Sequence, residues 1–349
     1  MQENWLELSA AFDEKQDFVL AVITETHGAT YRKAGTMMLV SRDKECTGLL
    51  SGGCLEADIA LHAESVFENK VPAMLHYDLT TDADLLWGLG LGCEGKIDIL
   101  LQPLLAESGH CDFANMLSSV CEGKTGRYWL PIPASATDTV NPSIVVTGTF
   151  QHEIASLIPP TVESHAPVNE LANGLASWLS IPITPPISLA VIGAGPDAVP
   201  VVDLALNMGW RVNLFDHRDN ALNRSEFSRE VNTVKMRAEQ AVAECFDTID
   251  AAVVMTHNLA FDQAYLSVLL STSIDYIGLL GPMARRDKML TALEQAYEPL
   301  SERIFGPVGL DIGGRSPQAI ALSIAAQIQQ KFARRYEEYR AVLVSAESD

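Results

Sequence analysis

The chain has 349 residues, 48% of them hydrophobic, with 24 basic against 45 acidic side chains and a formal charge of −21. That hydrophobic content fills a real core and excludes global disorder, and the length suits about two domains. So acidic a surface repels a phosphate backbone and excludes nucleic acid as a partner, and the longest uncharged stretch, Leu171 to Pro196, is broken by Pro182, Pro185 and Pro186 and excludes a membrane span.

The opening Met1-Gln-Glu-Asn-Trp-Leu-Glu7 carries acid where a secretory signal needs a basic region. With six cysteines and no C-x-x-C pair, the chain reads as a cytoplasmic protein with free thiols and no structural zinc. Apolar runs of strand length cover Asp17–Glu25, Thr36–Ser41, Cys46–Leu50, Pro72–Tyr77 and Lys96–Leu101. Leu55–Glu68 places Ile59, Ala63, Val66 and Phe67 at helical spacing, so residues 1–133 are expected to form a mixed α+β domain. Residues 134–186, dense in Pro, Ser, Thr and Asn, read as a linker with one strand at Ser143–Phe150, ending at Pro185-Pro186. From 187 to 349 strands and helices alternate. Strands are expected at Ser188–Gly193, Arg211–Phe215, Val231–Met236, Asp250–Met255 and Asp275–Leu280, and helices at Asp197–Met208, Phe261–Leu270, Arg285–Ala296 and Ser316–Lys331. The fold class is therefore α/β, with a Rossmann-like doubly wound parallel sheet in the second domain.

Gly193-Ala-Gly195-Pro-Asp-Ala198 follows a strand and opens a helix, the G-x-G-x-x-A form of a dinucleotide turn. Asp216, 23 residues after Gly193, ends the next strand, where an acid bonds a ribose hydroxyl. Arg218, Thr256, His257, Gly278 and Gly281 fall at or near further strand ends, where ligands of such sheets bind. Arg285-Arg286-Asp287-Lys288 places basic residues in a first helical turn, which suggests attraction to an anion.

In the first domain, Ser51-Gly52-Gly53-Cys54-Leu55-Glu56 lies between strand and helix. Its amides form an anion-receptive nest, its thiol gains thiolate character from the helix N-terminus, and Glu56 is placed as a proton acceptor. Gly88-Leu-Gly90-Leu-Gly92-Cys93-Glu-Gly95 is a second glycine-dense loop with a thiol, and the two suggest one shared site with Cys54 and Cys93 as nucleophiles or soft-metal ligands. Cys46, Cys111, Cys121 and Cys245 read as core residues.

These motifs, with His27-Gly-Ala-Thr-Tyr-Arg32-Lys-Ala-Gly35 before them and Gly306-Pro-Val-Gly309-Leu-Asp-Ile-Gly313 and Pro317-Gln-Ala-Ile-Ala-Leu-Ser after them, resemble the XdhC/CoxI family of accessory proteins. The resemblance covers most of the chain. It implies a cytoplasmic chaperone that binds molybdenum cofactor, protects it while a cysteine desulfurase supplies the terminal sulfido ligand, and hands it to the apo-enzyme of a molybdenum hydroxylase of the xanthine dehydrogenase type. It also implies a homodimer or larger assembly. Under it Cys54 and Cys93 flank the metal end, Arg32 pairs with the phosphate, and the Rossmann glycines hold a nucleotide or the pterin phosphate. The chain departs from the family pattern at Tyr31, where Pro is common, at Glu94, where Gly is usual, and at Pro196, where His is usual. Two other readings stay open: an NAD(P)-dependent oxidoreductase using Cys54 or His257, and a regulatory scaffold whose glycine loops are structural.

Overall fold

In a computed structural model, the described residues are 3–79, 95–133, 149–152, 175–228, 230–293, 302–333 and 341–345. They belong to two compact units, Met1–Pro185 with Tyr336–Asp349, and Pro186–Arg335.

The first unit is built on an antiparallel sheet of β1 (Phe18–Gly28), β2 (Met37–Val40), β3 (Cys46–Gly48), β4 (Ala73–Asp78) and β5 (Gly95–Leu104), in the order β3-β2-β1-β5-β4. Residues Phe18 to Thr24 are buried without interruption, because both faces of the central strand are covered. Val19, Ala21 and Ile23 meet Ile59, Ala63 and Val66 of the helix Glu56–Asn69. Leu20 and Val22, on the other face, pack with Phe113, Met116 and Val120 of the helix Phe113–Cys121. That second core also takes Tyr128, Leu130, Leu179 and Ile181 from a four-stranded sheet. Its strands are β6 (Gly126–Pro133), β7 (Thr149–Gln151), β8 (Leu175–Ile183) and β15 (Val342–Ser345), in the order β15-β8-β6-β7.

This sheet revises two expectations. The stretch read as linker holds β8, whose Leu179, Ile181 and Ile183 alternate into the core although the stretch as a whole is dense in Pro, Ser, Thr and Asn. The C-terminal segment assigned to the second domain instead pairs β15 with β8, antiparallel, in the first unit. Of the strand expected at Ser143–Phe150, only Thr149 and Phe150 lie among the described residues, in β7.

The second unit carries the parallel sheet: β9 (Ser188–Ile192), β10 (Arg211–Asp216), β11 (Asn232–Lys235), β12 (Ala251–Val254), β13 (Tyr276–Leu279) and β14 (Ile304–Phe305), in the order β11-β10-β9-β12-β13-β14. Chain direction reverses its progress across the sheet between β9 and β12, which makes their carboxyl ends the natural crevice. On β9, Leu189 and Val191 face the helices Val199–Asn207 and Pro317–Phe332 through Val201, Val202, Ile324 and Ile328. Ala190 and Ile192 face the helix Leu259–Leu270 through Tyr265, Leu266 and Leu269. Among the described residues no helix is long and apolar enough to cross a membrane.

Candidate functional site

The turn from Ser51 to Glu56 joins β3 to the helix Glu56–Asn69, and its shape is set by one carboxylate. Glu56, 9% exposed, folds back so that Oε1 accepts the N–H groups of Leu50 (3.0 Å) and Ser51 (2.8 Å). Its Oε2 accepts the Ser51 hydroxyl (2.7 Å) and the Leu55 N–H (3.2 Å). The Ser51 Oγ in turn accepts from Cys54 N (3.1 Å) and Leu55 N (2.8 Å). Burial pushes the Glu56 carboxyl up, but the Ser51 hydroxyl and the surrounding amides outweigh it and hold the group below its usual range. Glu56 is thus an anchor with its lone pairs in use, which corrects its placement as a free proton acceptor. The same bonds engage the amides of Leu50, Ser51, Cys54 and Leu55, so these four do not fit a phosphate.

What the anchored turn presents is its tip. Gly52 and Gly53 have φ of +85° and +103°, which side chains rarely adopt. Among the described residues nothing lies within 4 Å of where a Cβ on Gly53 would be, whereas one on Gly52 would stand 3.9 Å from the ring of Tyr31, which is 62% exposed. The Cys54 thiol is half-buried at this tip. Cys93, Gly90 and Gly92 lie outside the described residues, as does Glu94. Arg32 pairs with a carboxylate of its own chain, its Nη2 donating to both oxygens of the buried Glu3 at 2.7 Å. Cys111 is buried as expected, but Cys46 and Cys245 are exposed, so their apolar neighbours in sequence misled.

In the second unit Gly193 has φ +114° because the chain after β12 crosses it; a Cβ there would stand 2.6 Å from the Met255 carbonyl oxygen. Its N–H donates to Phe215 O (2.8 Å), and the Ala194 N–H to Asp216 Oδ2 (2.9 Å). Pro196 has no N–H to offer. Asp197 lies over Gly195, its Oδ1 2.5 Å from where a Cβ would be, and its Oδ2 meets His257 Nε2 at 2.8 Å. The expected phosphate cradle is therefore occupied by this chain's own acids, and His257 is engaged by one of them.

Asp216, at the end of β10, accepts from Arg218 N (2.9 Å) and Nε (2.9 Å) on Oδ1 and from Arg218 Nη2 (2.8 Å) on Oδ2. Burial opposes its ionisation, but the Arg218 and Ala194 donors hold its carboxyl down to about 2. Beside it opens a cavity of about 220 Å³, lined by Asp216, Arg218, Thr256 and Gly193 with Asn258, Phe261 and Tyr265. Thr256 is set by Asp262, 1% exposed, whose Oδ1 takes its hydroxyl at 2.5 Å while Oδ2 takes Arg285 Nη2. Gly281, at φ +126°, leaves room for the Arg285 stem, and Gly278 makes room for Val308; neither faces the cavity. Arg285 and Arg286 serve the protein itself, Arg286 donating to the Gly306 carbonyl, which corrects their reading as an anion lure. Asp197, Asp262, Phe261 and Tyr265 escaped the sequence reading. Asp262 was marked by being an acid at i−3 and i−4 to Tyr265 and Leu266, on the buried face of its helix.

Among the described residues no group of three or more His, Cys, Asp or Glu is placed to hold a metal ion. The description XdhC and CoxI family matches residues 11–78, and XdhC Rossmann domain matches residues 189–328. A Bacillus subtilis (strain 168) protein, named as a probable subunit of xanthine dehydrogenase, is 30% identical over 342 residues, 93% of this chain and 96% of its own. YqeB of Escherichia coli K12 is 27% identical over 144 residues, 41% of this chain and 27% of its own. The crystal structure of a xanthine dehydrogenase from Bacillus halodurans is 29% identical, with a TM-score of 0.74, covering 96% of this chain and 97% of that one.

Proposed function

The chain belongs to the XdhC and CoxI family, and from that membership and the Cys54 turn we propose that it is a maturation factor for a molybdenum hydroxylase of the xanthine dehydrogenase type. In this reading molybdenum cofactor is cargo: the protein binds it, shields it while a cysteine desulfurase supplies the terminal sulfido ligand, and delivers it to the apo-enzyme. Cytoplasmic location and a homodimer belong to the same proposal.

The observation that carries the reading is the use of a nearly buried carboxylate to hold a glycine tip that bears a half-buried thiol. The four donors on Glu56 fix the turn on which the Cys54 thiol sits. A half-buried thiol on a turn so anchored suits a soft, sulfur-preferring metal centre, and Cys93 is the second sulfur in the proposal. Because Glu56 and Ser51 take the amides of Leu50, Ser51, Cys54 and Leu55, the phosphate of the cargo is bound elsewhere than on those four. The names of the Bacillus relatives support a xanthine dehydrogenase as the enzyme served.

Mass spectrometry of ligands released from the freshly purified full chain tests this. A pterin is expected from the native protein and at least tenfold less from Cys54→Ala, with Cys46→Ala unchanged. Loading unchanged from the native protein in both Cys54→Ala and Cys93→Ala would remove the thiols from the mechanism. The cavity beside Asp216 favours a second reading, an NAD(P)-dependent oxidoreductase, which requires turnover of small hydroxy or oxo compounds by the purified protein.

A further inference from the structure

Residues 29–36 connect β1 to β2 and are pinned at several points. The Gly35 N–H donates to Ile23 O (2.7 Å), the Thr36 hydroxyl to Lys33 O (2.8 Å) and the Thr30 hydroxyl to Arg32 O (2.9 Å). Arg32 reaches back to the buried Glu3, and Thr30 lies so close to Gly95 that a Cβ there would stand 2.7 Å from the Thr30 methyl group. A loop held in this way keeps its side chains in place, which lowers the entropy lost when a ligand settles on one of them.

Tyr31 is the large side chain of this loop. A Cβ on Gly52 would stand 3.9 Å from Tyr31 Cδ1 and 4.0 Å from both Cγ and Cε1. A point so nearly equidistant from three consecutive ring atoms lies over the face of the ring, because an approach to the edge leaves the neighbours of Cδ1 clearly farther away. One face of the ring is thus turned to the glycine tip of the Cys54 turn, and with the residue 62% exposed the opposite face is open among the described residues. An open aromatic face stacks with a flat heterocycle whatever the hydrogen-bonding pattern of that heterocycle. Lys33 adds a charge to the same loop. Its Nζ donates to the Thr30 hydroxyl (3.1 Å), one residue before Tyr31, and among the described residues no carboxylate pairs with it. An ammonium has three donors, so two remain for an anion.

We propose that the pterin ring of the cargo stacks on the outer face of Tyr31 and that the cargo phosphate pairs with Lys33. This rests on the cargo role proposed above and names the residues that hold the organic part of that cargo.

Two measurements on the full chain test it: mass spectrometry of the pterin released from freshly purified protein, and a fluorescence titration with 6-hydroxymethylpterin and its phosphate ester. Tyr31→Ala and Tyr31→Leu are expected to weaken both pterins by about fivefold or more, the effect of losing one stacked base, whereas Tyr31→Phe keeps the native affinity. Leu is apolar but not flat, so its loss reports stacking rather than apolar contact. Lys33→Gln is expected to weaken the ester by about threefold and to leave the unphosphorylated pterin unchanged. Both residues are exposed, so each variant is expected to melt within about 2 °C of the native protein. Native protein that releases a pterin, with Tyr31→Leu loaded equally, overturns the platform and leaves the cargo role standing. Native protein that neither releases nor binds a pterin overturns both. Affinity lost as fully in Tyr31→Phe as in Tyr31→Ala overturns stacking, and ester binding unchanged in Lys33→Gln overturns the phosphate contact.

Discussion

Glu56→Gln removes one charge and one acceptor from the turn that presents Cys54, and the hydrogen bonds set the size of the effect. The amide oxygen of Gln can keep the Leu50 and Ser51 N–H groups that now reach Oε1. Its NH₂ replaces Oε2 and faces two donors, the Ser51 hydroxyl and the Leu55 N–H. The hydroxyl cannot turn to accept from it, because Ser51 Oγ already accepts from Cys54 N and Leu55 N. A bond to a charged group contributes about 1.5–3 kcal/mol and a neutral one about 1, so the substitution is expected to cost about 2–3 kcal/mol. For a domain of this size each kcal/mol moves Tm by about 2–4 °C, so calorimetry at pH 7 is expected to show the first unit melting about 5–10 °C lower. The pH dependence gives a second check. The folded Glu56 carboxyl lies below its usual value, so its contribution is full above that value and is lost as pH falls through the folded one. Native protein and variant therefore converge in acid. A shift under about 1 °C at pH 7, or a gap that widens on acidification, would refute the anchoring role.

Asp216→Asn is expected to destabilise the second unit by about 2 kcal/mol at pH 7, since the carboxyl is held at about 2 rather than 3.8 and each unit is worth about 1.4 kcal/mol. That gap is present above the ordinary carboxylate value and closes as pH falls toward 2; denaturant midpoints across that range measure it, and a gap constant with pH contradicts the assignment. Gly193→Ala, at φ +114° and with a Cβ 2.6 Å from the Met255 carbonyl, is expected to cost at least about 3 kcal/mol. Gly53→Ala, at φ +103° but with no described residue within 4 Å of its Cβ, is expected to cost only about 1–2 kcal/mol, and equal urea midpoints for the two would sink the comparison.

Both glycine turns end in the same device, an acid of the chain folded onto amides that a ligand phosphate was expected to take. Glu56 does this in the first unit, and Asp216 does it in the second, on the Ala194 N–H. The cost of leaving turn amides unpaired explains why nearby carboxylates occupy them. What is left for function is different in each unit: a thiol at a rigid tip, and a cavity beside Asp216.

Local pattern carried most of the fold. The apolar periods of β1, β5, the helix Glu56–Asn69 and the strand–helix alternation after Pro186, the short β14 excepted, were readable because each element's burial is written in neighbouring residues. The glycine turns and Asp216 were readable for the same reason, as short motifs with a mechanical meaning. Tertiary structure alone decided which side chains those motifs meet. His257 reaches Asp197 across 60 residues and Arg32 reaches Glu3 across 29, and β15 leaves the second half of the chain to pair with β8. An acidic composition says that carboxylates are plentiful, but not which of them fold inward. That choice belongs to long-range packing, which brings a given acid within reach of a given amide and leaves local spacing unchanged.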